Sequence, residues 1–241
     1  IDGMDGSKEI MCSMYGDKML ERGMASFVYD GPGQGECPVN GVYVTKDNHM
    51  EAAQAVYDWL IQHPHIDKDR LVIFGISFGS FFGAQAAAQL GDKVKGAALS
   101  FVCHEPGCYT IFNMAAPTFK LRFMFMAGYD NEEEFDEFIS EFSLGPITDQ
   151  IKCPILVQGG QDEELSPVEC SEEFVNKLSV PKKLVFYEGE RHAIGGGSAA
   201  YLGENWYTML ADWCLDRVND KPTPNESVLI NSLGQAEATP Y

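Results

Sequence analysis

A serine between two glycines, a carboxylate and a histidine follow one another along this chain, and together they could attack a carbonyl carbon. The serine is Ser77 in Gly75-Ile76-Ser77-Phe78-Gly79, which sits between the apolar run Leu71-Val72-Ile73-Phe74 and an alanine-rich helical run from Phe78 to Leu90. A G-x-S-x-G at a strand-to-helix corner holds its serine in a strained turn with the hydroxyl projecting from the sheet, and the flanking residues must be small where backbone passes close by. A serine hydroxyl is a weak nucleophile at neutral pH and needs a base that is itself oriented by an acid.

His192 is the expected base. It follows a β-rich run, Lys183 to Tyr187, through Glu188-Gly189-Glu190-Arg191, precedes Gly195-Gly196-Gly197, and is the only histidine after residue 162. Asp162 is the expected acid: it follows the apolar run ending at Gln158 through Gly159-Gly160-Gln161, on a loop at the carboxyl end of a strand, where active sites of open α/β sheets collect. Glu163 and Glu164 rank below it because the first carboxylate after the glycines is best placed by the turn. Glu105, after the preceding strand, is the runner-up. Of the other histidines, His49, His63 and His65 follow no strand at the required place and read as structural, whereas His104 could line a pocket. An oxyanion hole needs two backbone N–H groups aimed at the developing alkoxide; Phe78, after the serine, and Met4, after Gly3, are the candidates.

These residues must be positioned by a sheet. Short β-rich runs alternate with helical patterns, the signature of an α/β fold with a mostly parallel sheet flanked by helices. The runs 25–30, 71–76, 95–102, 154–158 and 183–187 are expected strands. Residues 7–22, 47–63, 78–90, 167–178 and 201–218 are expected helices, with Ser7 as an N-cap and Pro64 as a stop. Residues 1–218 form the expected core. An insertion, 104–150, carries an aromatic and methionine stripe, Phe119 to Met126, and an acidic amphipathic stretch, 131–142; it reads equally as a lid or as packed helices. Residues 219–241, with three prolines, are expected to be a loosely ordered tail. The first seven residues read as a loop leaving an absent strand, so the sequence is expected to be a C-terminal part of a longer protein or to be completed by another segment, without which a buried sheet edge is left unpaired.

A chain of 241 residues with 45% hydrophobic content can bury one substantial core. Its formal charge of −19 repels polyanions, which argues against nucleic acid, and the acidity reads as a solubility device. The 7 cysteines form an odd set without paired metal spacing, which fits a reducing cytoplasm. No apolar run reaches the ~18 residues of a membrane span, so no membrane partner is expected. Asp30-Gly31-Pro32-Gly33-Gln34-Gly35 fails the dinucleotide-loop spacing and its proline removes an N–H donor; it reads as a structural turn beside the pocket, and no cofactor or metal is expected. The expected partner is a small-molecule substrate, and a homodimer is compatible with the sequence.

With these residues identified, the chain resembles the α/β-hydrolase superfamily over nearly its whole length. Asp5-Gly6-Ser7-Lys8-Glu9, Asp30-Gly31-Pro32-Gly33-Gln34-Gly35-Glu36, Gly75-Ile76-Ser77-Phe78-Gly79, Gly159-Gly160-Gln161-Asp162 and Glu190-Arg191-His192 are similar to the group containing 2,6-dihydroxypseudooxynicotine hydrolase and the fungal polyketide chain-shortening hydrolases. The resemblance implies a helical cap ahead of the core, which agrees with the expectation that this sequence is a C-terminal part of a longer protein. It also implies serine-dependent cleavage of a carbon–carbon bond in an activated ketone, or of an ester. A general carboxylesterase or peptidase is the second reading. A non-catalytic binding protein is the third, disfavoured because a binding module has no physical need for all three of Ser77, Asp162 and His192.

Overall fold

The computed structural model describes residues 1–195, 197 and 205–241. Among these, six strands form one sheet in the order β1 to β6: Ile73–Ile76, Ala97–Ser100, Ile155–Gly160, Lys182–Tyr187, Glu226–Ile230 and Ala236–Pro240. β1 to β5 are parallel and β6 returns antiparallel on β5. β2 and β3 are buried along their whole length, as strands covered on both faces must be.

The helices are α1 (Lys8–Leu20), α2 (Asn48–Leu60), α3 (Phe78–Leu90), α4 (Pro117–Ala127), α5 (Glu132–Ser140), α6 (Val168–Lys177) and α7 (Trp206–Val218). α3 begins and ends where the alanine-rich run does, and all but one of its residues are buried. Such a helix, apolar all round, belongs in the centre of a fold. Gly83 lets it lie close to the sheet, because a Cβ there would come within 2.8 Å of the Leu99 side chain. One hydrophobic cluster gathers α3 with the insertion and α6, while another gathers α7 and α1 on the opposite face.

Two expectations are corrected here. Residues 25–30 form no strand: they lie across a cavity of about 740 Å³ from β1, so their backbone has no ladder partner among the described residues. Among the described residues only Ile1 pairs at the outer edge of β1, its amine donating to Phe74 O at 2.7 Å and its carbonyl accepting from Ile76 N at 3.2 Å. The tail is not loose either, for 226–230 and 236–240 extend the sheet. Val228 and Ile230 supply the buried alternation that holds β5 in place. The helix expected over 201–218 is present from Trp206 to Val218 with Asn205 as its N-cap, and residues 201–204 lie outside the described residues.

Part of the aromatic and methionine stripe of the insertion is packing, with Phe123, Met124 and Met126 buried and Leu121 and Phe125 exposed. Phe123, Phe135 and Phe142 are fully buried, and Phe123 lies 4.6 Å from the ring of Phe78, the residue after the central serine. Lys120 is nearly buried as well, its ammonium held by Asp136 at 2.7 Å and Glu132 at 3.3 Å. Among the described residues no helix is long and apolar enough to cross a membrane, and no cluster of His, Cys, Asp and Glu is arranged to hold a metal.

Two of the histidines are structural in an unusual way. His49 stacks on Phe82 at 3.5 Å and donates from Nε2 to Pro32 O at 2.9 Å, leaving Nδ1 buried without a hydrogen-bond partner. His104, which the sequence allowed as a pocket residue, is buried beside Phe174, with Nδ1 3.1 Å from Ser171 Oγ and Nε2 unpartnered among the described residues. A second ring proton would have nowhere to bond, and burial pushes both groups down to about 3 from 6.5. Since the folded values lie below the unfolded ones, the unfolded chain binds more protons, and stability present above pH 6.5 is lost as pH falls toward 3. Each histidine contributes up to about 1.4 kcal/mol per pH unit in that window. The urea midpoint is expected to fall between pH 7 and 5.5, where carboxylates stay ionised, and a double variant His49→Gln, His104→Gln should flatten the slope; an unchanged slope would show that neither ring is held neutral.

Candidate active site

Ser77 stands at the carboxyl end of β1 as the residue preceding α3, with φ 56° and ψ −130°. A non-glycine residue at positive φ is costly and persists only where its surroundings fix it. Ser77 N donates to Ser100 O at 2.9 Å, tying the turn to β2. The flanking glycines are sterically required: a Cβ on Gly75 would sit 2.1 Å from Gly79 O, and one on Gly79 would sit 2.4 Å from both Ile1 O and Asp2 O. The corner is tight because it threads between the start of the chain and the first turn of α3.

His192 reaches Ser77 from the loop after β4. Its Nε2 lies 2.9 Å from Ser77 Oγ. The loop is drawn over the end of β3, where Asp162 N donates to Glu190 O at 2.9 Å and Gln161 N to Tyr187 O at 2.9 Å. Glu190, itself buried, accepts from Gly195 N at 2.8 Å and Gly197 N at 2.7 Å, which fixes the chain just beyond the histidine. His192 N donates to Glu164 Oε2 at 2.8 Å.

The acid beside the histidine is Glu163, which corrects the expectation of Asp162. His192 Nδ1 lies 2.9 Å from both Glu163 oxygens. Glu163 also accepts from Leu165 N at 2.9 Å, and its side chain is fully buried. Asp162 is exposed, its N–H committed to the neighbouring loop. The miscount has a physical cause: Gly159 and Gly160 belong to β3, paired with Phe186 and Tyr187, so the turn begins two residues later than their identity suggests. Glu164 faces Arg191 at 3.3 Å, and Glu105 accepts from the N–H and hydroxyl of Thr110, so neither serves His192 through its ring. The signal in the sequence was the run Asp162-Glu163-Glu164 itself, whose order cannot be resolved without knowing where the strand ends.

Phe78 and Met4 both lie near the serine. Phe78 is the first residue of α3. The loop bearing Met4 passes so close that a Cβ on Gly3 would come within 2.8 Å of Ser77 Cβ and 3.1 Å of its Oγ. The carbonyls of this loop are taken: Gln34 Nε2 donates to Asp2 O at 2.7 Å and Gly3 O at 3.0 Å, and Arg122 Nε donates to Met4 O at 3.1 Å. Among the described residues the N–H groups of Met4 and Phe78 find no protein acceptor. Gln34 and Arg122 were not anticipated, since nothing in the sequence indicates which backbone atoms they reach.

The sequence pattern of the prolyl oligopeptidase family matches residues 16–221. Hydrolase acrC of Aspergillus aculeatus is 25% identical over 240 residues, an alignment covering 83% of this chain and 55% of that protein. The chain thus spans about half the length of the curated relative it matches. Among solved structures, 2,6-dihydroxy-pseudo-oxynicotine hydrolase superposes with a TM-score of 0.79 at 22% identity, covering 92% of this chain and 60% of that one. The monoacylglycerol lipase of Paleococcus ferrophilus superposes at 0.62 with 16% identity, covering 90% and 93%. These superpositions establish the α/β-hydrolase fold.

Proposed function

Because this chain belongs to the prolyl oligopeptidase family, we propose that it is the catalytic portion of a serine hydrolase that cleaves a C–C bond or an ester in a carbonyl-containing small molecule. The observation that carries the reading is the relay from Ser77 Oγ through His192, 2.9 Å on each side, to a buried Glu163. A serine, an imidazole and a carboxylate in that order have one efficient use, which is to make the hydroxyl nucleophilic.

In the proposed reaction Ser77 Oγ forms a bond to the substrate carbonyl carbon while its proton passes to His192 Nε2. The carbonyl π pair moves onto oxygen, and the alkoxide is held by the N–H groups of Phe78 and Met4. Glu163 keeps the Nδ1 proton oriented and stabilises the imidazolium. Collapse re-forms the carbonyl and expels the leaving group, which takes the proton from His192. Water then repeats the sequence on the acyl-enzyme and frees Ser77. For an ester the leaving group is an alkoxide. For a ketone it is a carbanion, far more basic unless an adjacent carbonyl or aromatic ring delocalises it, so C–C cleavage requires an activated substrate.

A second reading, a general carboxylesterase or peptidase, is favoured by the family match alone; short esters and peptides compared with β-diketones separate the two. The first test is exposure to a fluorophosphonate probe followed by peptide mapping. A single adduct on Ser77 that is absent from a His192→Ala variant is expected. Folded protein that forms no adduct would overturn the hydrolase reading and favour a non-catalytic binding role.

A further inference from the structure

The turn Asp30 to Gly35 wraps around a single side chain. Gln34 is 2% exposed, and its amide is fully used: Oε1 accepts from Gly31 N at 2.9 Å, while Nε2 donates to Asp2 O at 2.7 Å and Gly3 O at 3.0 Å. The chemistry fixes the amide orientation, because a backbone N–H needs an oxygen and two carbonyls need the NH₂. The turn is rigid around it. Its Pro32 carbonyl is held by His49, and its glycines leave no room for side chains: a Cβ on Gly31 would come within 2.5 Å of the His49 ring, and one on Gly35 within 2.2 Å of Asp30. Lys8 N and Nζ both bond Asp30, at 2.7 and 2.8 Å, so the turn is also pinned to α1.

The Gly3 carbonyl that Gln34 holds belongs to the same planar unit as the Met4 N–H. In a trans peptide the two point in opposite directions, so fixing one fixes the other. We propose that Gln34 is a positioning residue of the hydrolytic site: by holding the Gly3 carbonyl it sets the peptide plane that presents Met4 N–H to the alkoxide on Ser77. The proposal rests on the reading of Met4 as an oxyanion donor. It gives the Asp30–Gly35 turn a catalytic reason, since a turn that only filled space would not need a buried amide reaching across to two carbonyls of another segment.

The test compares p-nitrophenyl acetate with O-(p-nitrophenyl) thionoacetate, in which sulfur replaces the carbonyl oxygen and fits an oxyanion hole poorly. Wild-type protein should prefer the oxygen ester by about 10²-fold, the scale of one oxyanion donor. Gln34→Met keeps length without the donor, and Gln34→Glu sets an oxygen against two carbonyl oxygens. Both should lower kcat/KM for the oxygen ester and cut the preference at least ~10-fold. Because the preference is a ratio, it does not depend on how much of a variant is folded. Gln85, a buried glutamine that holds Lys46 O at 2.6 Å, is the control, and Gln85→Met should leave the ratio unchanged. Gln34 variants that retain the wild-type ratio would overturn the role of Gln34. Wild-type protein that labels at Ser77 yet shows no oxygen preference would overturn the oxyanion reading itself, and absence of labelling the hydrolase reading.

Discussion

Replacing Ser77 with alanine is expected to lower kcat by about 10⁶, the loss seen when the nucleophile of a comparable triad is removed. The site isolates this effect well. The alanine keeps the Cβ and loses only the hydroxyl, and the strained φ of 56° is set by surroundings that the substitution does not touch: the bond from residue 77 N to Ser100 O and the close approach of Gly79 to Ile1 and Asp2. Melting temperature should therefore change little while turnover disappears. Loss of Oγ also leaves His192 Nε2 without its 2.9 Å partner, so the variant should bind substrate yet form no acyl-enzyme in single-turnover mass spectrometry. Turnover within ~10-fold of wild type would show that another group carries the chemistry.

Glu163→Gln is expected to cost about 10⁴ in kcat, whereas Asp162→Asn should change it less than ~2-fold. The amide has the shape of the carboxylate but presents an NH₂ where His192 Nδ1–H needs an acceptor, so it favours the tautomer with the proton on Nε2. That tautomer cannot accept the Ser77 proton. It also withdraws the charge that stabilises the imidazolium, from a side chain buried enough for the charge to matter. Asp162 has neither geometry: its side chain is exposed, and its contribution is a backbone N–H to Glu190 O that survives any side-chain change. Measuring both variants on an activated ester decides the matter. The reverse ranking would mean that the loop after β3 rearranges when substrate binds.

Much of the site was legible because its signals are local. The elbow was identifiable from Gly75 and Gly79, since a tight strand-to-helix corner excludes side chains wherever it occurs. α3 was legible to the residue, as alanine-rich composition and the Gly91 that follows leave little freedom in where it begins and stops. His192 could be placed as the histidine after the last expected strand. Parallel strands buried on both faces are recorded as short apolar runs, so β1 to β4 were found with errors of one or two residues.

What could not be read depended on pairing across the chain. Whether 25–30 forms a strand depends on a neighbour within hydrogen-bonding distance, and the cavity beside β1 supplies none. Whether 226–240 is a tail or two strands depends on the free edge of β4, which residues 226–230 occupy in register with Lys183 to Tyr187. The acid turned on where β3 ends, and β3 ends two residues late because β4 pairs with its glycines. The sequence by itself determined the class of fold and singled out Ser77 and His192, which the structure brings within 2.9 Å of each other, because composition and short-range spacing encode these. The tertiary structure alone decided which of three adjacent carboxylates meets His192 and which glutamine holds the loop beside Ser77, because a hydrogen bond between residues far apart in the chain depends on a match of a few tenths of an ångström that no local pattern records.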